Sequence, residues 1–280
     1  MAVCNVCFRH CNIPEGGTGF CGGRVCENGN VVAGNYGRIT SIALDPIEKK
    51  PLSRFCPGSL ILSVGSYGCN LRCPFCQNNS ISWSEEAMHL ADRTEYIDPG
   101  TLADIAASYQ SRGNIGVAFT YNEPLIGYEF VRDTAKLVHE RNMTNVMVTN
   151  GTDELSVLEE LLPYIDAMNI DLKAFTDRFY TGLIGGNRSQ VLAFIKKAAS
   201  CCHVELTTLI IPGENDSIEE MRELTAWVAS LPDGADIPLH VSRFFPQFHM
   251  RDRAATDVSL IYRLADVARE TLHYVYTGNC

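Results

Sequence analysis

Cys69, Cys73 and Cys76 fall at spacing C-x3-C-x2-C within Ser66-Tyr67-Gly68-Cys69-Asn70-Leu71-Arg72-Cys73-Pro74-Phe75-Cys76-Gln77-Asn78. A [4Fe–4S] cluster has four irons, and a ferredoxin site gives each one a thiolate. Three thiolates with no close fourth cysteine leave one iron with open coordination positions, which a small molecule can fill. A zinc knuckle or chance clustering is the plainer alternative. Zinc, however, takes four tetrahedral ligands, and this run is one short. An apolar, β-favouring run at residues 59–64 leads into the loop, as it would if the loop capped a barrel strand.

A second group of thiols lies near the N-terminus. Cys4, Cys7, Cys11, Cys21 and Cys26 follow the spacing C-x2-C-x3-C-x9-C-x4-C among five glycines, with His10 beside Cys11. So short and glycine-rich a segment buries little apolar surface, and a metal would replace the missing core. Cys4, Cys7, Cys11 and Cys21 suit a structural zinc site. A second iron–sulfur cluster, or free redox-active thiols, would use the same residues, since zinc and iron both accept four thiolates. Of the other cysteines, Cys201 and Cys202 read as small buried apolar residues, and Cys56 precedes the first strand.

Twelve cysteines in a chain that opens Met1-Ala2-Val3-Cys4, without a basic and then apolar leader, point to a reducing, cytoplasmic setting. The formal charge of -10 argues against general nucleic-acid binding. No apolar run approaches the roughly 20 residues that span a bilayer. At 280 residues, 46% hydrophobic, the chain suits one sizeable domain with a small appendage. The expected division is residues 1–58 as a cysteine-rich extension with connector, and 59–280 as the main domain. Within the connector, Asp45-Pro46-Ile47-Glu48-Lys49-Lys50-Pro51-Leu52 reads either as a solvated linker or as a loop shaping the substrate site.

From residue 59 the chain alternates. Strand-like runs are expected at 59–64, 115–119, 145–148, 167–172, 204–211 and 237–241, with a further short one at 272–276. Segments with helical apolar spacing separate them. Pro99 and Pro124 mark helix starts, and Asp153 or Thr152 suits an N-cap. Six strand–helix units predict a parallel sheet with helical crossovers, an α/β fold. Active sites of such barrels gather where the strands end.

The cysteine motif, with Phe75 before its last cysteine, resembles the radical S-adenosylmethionine (SAM) superfamily, whose signature is C-x3-C-x-φ-C with an aromatic at φ. The resemblance implies a partial (βα)6 TIM-type barrel. It implies that Cys69, Cys73 and Cys76 hold a [4Fe–4S] cluster whose open iron binds SAM, with Phe75 beside the adenine. An electron from that cluster breaks the sulfonium to give a 5′-deoxyadenosyl radical. After the second strand the family carries a Gly-Gly-Glu-Pro motif that contacts the amino group of SAM. Here the place reads Tyr121-Asn122-Glu123-Pro124, which makes Asn122 and Glu123 candidates. A carboxylate facing that amino group makes a charge-assisted hydrogen bond.

The later strand ends carry Thr149-Asn150-Gly151, Asp171-Leu172-Lys173, Ile211-Pro212-Gly213 and His240-Val241-Ser242-Arg243-Phe244-Phe245-Pro246. Over roughly residues 59–250 their order resembles the activating enzymes of glycyl radical enzymes. That likeness implies Asn150, Asp171 and Lys173 around SAM; His240 and Arg243, on the sixth strand, join the candidates. Those enzymes have an aspartate before Thr-Asn-Gly, where this chain has Val148. The N-terminal cysteines, the Asp-Pro-Ile-Glu-Lys-Lys-Pro-Leu run and Ser-Arg-Phe-Phe-Pro together look like the radical SAM member of the AmmeMemoRadiSam system. Members of that family often continue past Gly-Asn to a Cys-x-x-Cys, whereas this sequence reads Gly278-Asn279-Cys280. Cys280 is thereby a candidate to reach the N-terminal thiols.

The activity so implied is hydrogen abstraction from a substrate, first a protein backbone glycine. A protein or peptide partner and an electron donor such as flavodoxin or ferredoxin would accompany it. Modification of another peptide residue, a nucleoside or a small metabolite is the alternative. A non-catalytic metal-binding interaction module is a second.

Overall fold

The computed structural model describes residues 1–91 and 93–280. One sheet holds eight strands: β1 (Ser41–Pro46), β2 (Leu60–Gly65), β3 (Asn114–Phe119), β4 (Thr144–Thr149), β5 (Ala167–Asp171), β6 (His203–Ile210), β7 (Leu239–Arg243) and β8 (Val275–Gly278). They pair in sequence order; β2 to β8 run parallel and β1 lies antiparallel on β2. Among the described residues no pairing joins β8 to β1, so this is an open α/β barrel. Helices α1 (Pro99–Ser108), α2 (Tyr128–Glu140), α3 (Leu155–Leu161), α4 (Arg188–Ala199), α5 (Ile218–Ala229) and α6 (Val258–Arg269) are the crossovers.

Strand alternation builds two cores. Val117 and Phe119 of β3 and Met147 of β4 lie in the larger core with Leu102, Val138 and Leu158 of the helices. Ala118 and Val146, on the other face, join Ile61, Ala167, Ile47 and Leu52 in a separate cluster, all fully buried. Ile47 and Leu52 come from the run expected as linker or site loop. It is not a solvated linker: its apolar residues close the floor of the barrel. The division at 58/59 likewise falls between β1 and β2, which pair along their whole length, so the connector is part of the sheet. Sequence periodicity misses this because β1 gains its partner only through long-range pairing.

Helix starts follow local chemistry. Asp98 caps α1 by accepting from Thr101 N, with Pro99 in the first turn, and Ser217 caps α5 through Glu220 N. The expected cap of α3 is not realised. Its N-cap is Glu154, without a side-chain bond. Asp153 is fully buried, and both its carboxylate oxygens lack a hydrogen-bond partner among the described residues.

A buried carboxylate ties the floor loop to the barrel. Glu205 of β6 accepts from Ser53 N (2.9 Å), Arg54 N (2.7 Å), His203 Nε2 (3.0 Å) and His240 Nε2 (2.7 Å). Burial alone would raise its pKa, but the His203, His240, Arg54 and Ser53 bonds outweigh burial and hold it down at about 2. A depressed carboxyl contributes stability above its unfolded pKa and loses it as pH falls toward the folded value. Glu205→Gln is therefore expected to cost on the order of 2–4 kcal/mol at neutral pH. It should also flatten the part of the acid limb between pH 4.5 and about 2, in thermal unfolding followed across that range. An unchanged acid limb would show that other groups govern acid stability.

Candidate active site

The loop after β2 and the ends of β3 to β7 enclose a cavity of about 310 Å³. Cys69, Cys73 and Cys76 form part of its wall, with Phe75, Asn122, Glu123, Asn150, Asp171 and Lys173. Nine of the eleven residues expected there thus converge on one space. His240 and Arg243 do not line it. Ser242, on the same face of β7 as His240 and further toward the strand end, takes the position at the cavity. His240 is buried one level below, bonded to Glu205 and stacked on Tyr276 with ring centroids 5.2 Å apart. Arg243, on the opposite face, donates from Nε to Thr256 O at 2.7 Å.

Burial pushes the Cys69 thiol well above its ordinary value and the Cys73 thiol up to about 12, and raises Cys76. Metal binding here would release protons. Among the described residues no three Cys, His, Asp or Glu converge closely enough for a single metal ion. Three thiols spread around a larger cavity without a fourth ligand fit a multi-iron cluster with an open iron better than zinc. Leu71 N and Asn150 Nδ2 donate to Cys69 Sγ at 3.4 and 3.8 Å, the kind of contact that tunes a cluster.

Glu123 is the acidic centre of the cavity. Only 3% exposed, it accepts from Thr149 Oγ1 (2.7 Å), Asn150 N (2.8 Å) and Leu125 N (3.2 Å). Burial raises its pKa to about 7, against the lowering effect of those three bonds. Across the cavity, Lys173 Nζ pairs with Asp171 Oδ2 at 2.7 Å. Burial disfavours the ammonium, but Asp171, through its charge and its hydrogen bond, outweighs it and holds Lys173 protonated.

Two expected contact residues are committed to the protein itself. The Asn122 amide donates to Tyr67 O and Gly68 O and accepts from Ser66 N, which fixes the cysteine loop. The Asn150 side chain bonds Asn70 and Thr152. Phe75 is buried, its ring centroid 6.2 Å from that of Phe179.

Tyr121, where a glycine was the family pattern, adopts φ +73°, a strained conformation for a residue with a Cβ. Its hydroxyl donates to Asp45 Oδ2 at 2.8 Å, and the buried Lys50 ammonium pairs with the same oxygen at 3.0 Å and lies 4.6 Å from the ring centroid. All three stand in motifs of the sequence, with no local pattern to join them. Thr120, Thr207, Ser242 and Asn279 also line the cavity; Thr120, Ser242 and Asn279 lie at or just past strand ends, whereas Thr207 lies mid-strand and carries no such signal.

Cys4, Cys7, Cys11 and Cys21 come together around a separate cavity of about 10 Å³, with Arg9 and Arg24 in its wall. Burial raises Cys7 to about 12 and Cys21 to about 11. This site abuts the other: Cys69 N donates to Cys21 O at 3.0 Å. Gly68 makes the approach possible, at φ +93° and with any Cβ only 2.6 Å from Cys21 O. Neither Cys56, Cys201 nor Cys280 borders either cavity; Cys201 is exposed, contrary to expectation, and Cys280 is exposed as well.

A family model described as the Radical SAM superfamily matches residues 63–225. The uncharacterized protein MJ0808 of Methanocaldococcus jannaschii is 39% identical over 280 residues, 99% of this chain and 80% of that protein. The pyruvate formate-lyase-activating enzyme of Clostridium pasteurianum is 25% identical over 203 residues, 71% of this chain and 80% of that enzyme. Among solved structures, Streptococcus suis SuiB bound to S-adenosylmethionine superposes with TM-score 0.59 at 15% identity, over 76% of this chain and 48% of that one. A domain of pyruvate-formate lyase-activating enzyme from Bacteroides vulgatus gives TM-score 0.52 at 17% identity, over 59% and 99%. No helix among the described residues is long and apolar enough to cross a membrane.

Proposed function

We propose, from the premise that this chain belongs to the radical SAM superfamily, that it is an activating-type enzyme abstracting hydrogen from a backbone glycine of a partner protein. The general radical SAM reaction follows from membership; the glycine is our reading. Three thiols without a fourth ligand among the described residues, Cys73 buried and Cys69 and Cys76 part-buried, on the wall of the same cavity as the buried carboxylate Glu123, are the observation that carries it. The similarity to pyruvate formate-lyase activating enzymes supports the choice of substrate. When bound, the cluster supplies the electron that cleaves SAM to methionine and a 5′-deoxyadenosyl radical.

The chain's residues bind and aim. Cys69, Cys73 and Cys76 hold the cluster. Glu123 accepts from the amino group of SAM, and Phe75 borders the adenine. Asn122 and Asn150 act behind these groups, through the cysteine loop and its neighbours, while Lys173 and Asp171 line the opposite wall. Cys4, Cys7, Cys11 and Cys21 line one small cavity but among the described residues do not converge on a single-ion site; the reading for them is a separate metal, zinc first and a second iron–sulfur cluster as the alternative. A flavodoxin- or ferredoxin-type donor and a cytoplasmic setting complete the reading.

The test uses protein purified without oxygen and reconstituted with iron and sulfide, with metals counted. Given SAM, a reductant and extract protein labelled with α-deuterated glycine, it is expected to form deuterated 5′-deoxyadenosine. Extract-stimulated 5′-deoxyadenosine without deuterium would overturn the glycine reading in favour of another residue, a nucleoside or a metabolite. About four irons with one zinc would assign the N-terminal site to zinc, and about eight irons to a second cluster.

A further inference from the structure

Two half-buried arginines meet where the N-terminal extension touches the cysteine loop. The Arg9 and Arg72 guanidinium carbons lie 3.6 and 3.8 Å from the centroid of one ring, Phe20. Their hydrogen bonds all end on backbone carbonyls. Arg9 reaches Asn70 O (2.7 Å) and Gly185 O (2.5 Å), and Arg72 reaches Cys69 O (2.8 Å), Leu71 O (2.9 Å) and Phe20 O. Among the described residues neither has a carboxylate within ion-pair distance.

That arrangement is costly in isolation. Two like charges are held side by side and partly desolvated, in a protein whose formal charge is -10 and which has carboxylates to spare. The groups that bear on them electrostatically are thiols, anionic only once they ligate metal: Cys69, Cys73 and Cys21 for Arg72, and Cys7, Cys11, Cys69 and Cys21 for Arg9. A cluster held by three thiolates carries negative charge that grows on reduction, and net charge around a cluster is one of the levers on its potential.

We propose that Arg9 and Arg72 compensate the charge of the cluster at Cys69, Cys73 and Cys76 and thereby raise its reduction potential. The N-terminal extension serves as the carrier that delivers Arg9. Arg9 and Arg72 are positioning residues in this role, not catalytic ones, and the role rests on the cluster assignment above. It also gives the extension a function whichever metal its own cysteines hold.

The test is an EPR-monitored redox titration of the anaerobically reconstituted protein without SAM. Loss of a positive charge favours the oxidised cluster. At a fixed potential, Arg9→Gln should therefore lower the ratio of reduced to oxidised cluster about tenfold, or about 59 mV for one electron. Arg72→Gln should shift it in the same direction, and Arg9→Lys should titrate with the parent. Should Arg9→Gln fail to take up iron, Arg72→Gln carries the measurement. The proposal is overturned if the glutamine variants titrate with the parent at full iron content, or if Arg9→Lys falls as far as Arg9→Gln. Loss of metal from the N-terminal site with an unshifted potential also overturns it, since Arg9 would then serve that site. A parent protein with no reducible cluster would fault the cluster assignment itself, a separate result.

Discussion

Cys69→Ala protein, reconstituted beside the parent, is expected to lose reductive SAM cleavage to below detection and to fall short by about one cluster's worth of iron. A three-thiolate site has no redundancy, and among the described residues no cysteine outside the loop borders its cavity to stand in. Cys21 is the nearest candidate, because its carbonyl accepts from Cys69 N, yet its side chain faces the other cavity. The fold should survive. Cys69 is part-buried and its sulfur accepts two long hydrogen bonds, so truncation should cost roughly 1–2 kcal/mol. Circular dichroism and unfolding midpoints check that point. Parent-like 5′-deoxyadenosine formation from a well-folded Cys69→Ala protein would sink the assignment of this loop as the cluster site. It would also revive a metal-binding module without catalysis.

What could be read in advance follows the range of the interactions. The cysteine loop, Glu123, Asn150, Asp171 and Lys173 were legible because each lies at the end of a strand-like run, and parallel strands bring such ends to one face. His240 and Arg243 were misplaced by that same reasoning at finer scale. A strand end identifies a neighbourhood, whereas the level and the face depend on register, and β7 pairs so that Ser242, not its neighbours, reaches the cavity. The contacts between Asp45, Lys50 and Tyr121 span 76 positions and left no local pattern, since an Asp, two Lys and two Pro also describe a solvated turn. The joining of the two cysteine groups was hidden for a related reason. It depends on a backbone bond from Cys69 to Cys21 and on the left-handed Gly68, and neither has a signature in residue type.

Glu123→Gln should separate binding from folding at the cavity. In the parent, an apo carboxyl raised to about 7 is partly protonated at neutral pH, yet it must be ionised to accept well from the amino group of SAM. SAM binding should therefore tighten as pH rises through that value and release a proton as it does so. Stability of the apo protein runs the other way. A raised carboxyl contributes stability that is fully present below its unfolded pKa of 4.5 and lost as pH climbs to about 7. Glutamine abolishes both dependences, being neutral throughout. It also removes one of two oxygens that take the Thr149, Asn150 and Leu125 donors, and an N–H left facing Asn150 N–H costs about 1–3 kcal/mol of stability. Loss of a charge-assisted bond predicts SAM affinity weaker by about 10- to 100-fold at pH 8, with a smaller deficit at pH 6, where the parent carboxyl is itself protonated. Calorimetric titration of SAM at the two pH values reads the difference directly. Equal affinities for parent and variant at pH 8 would place the amino group away from Glu123 and leave that carboxylate as a buried brace between the β3 and β4 loops.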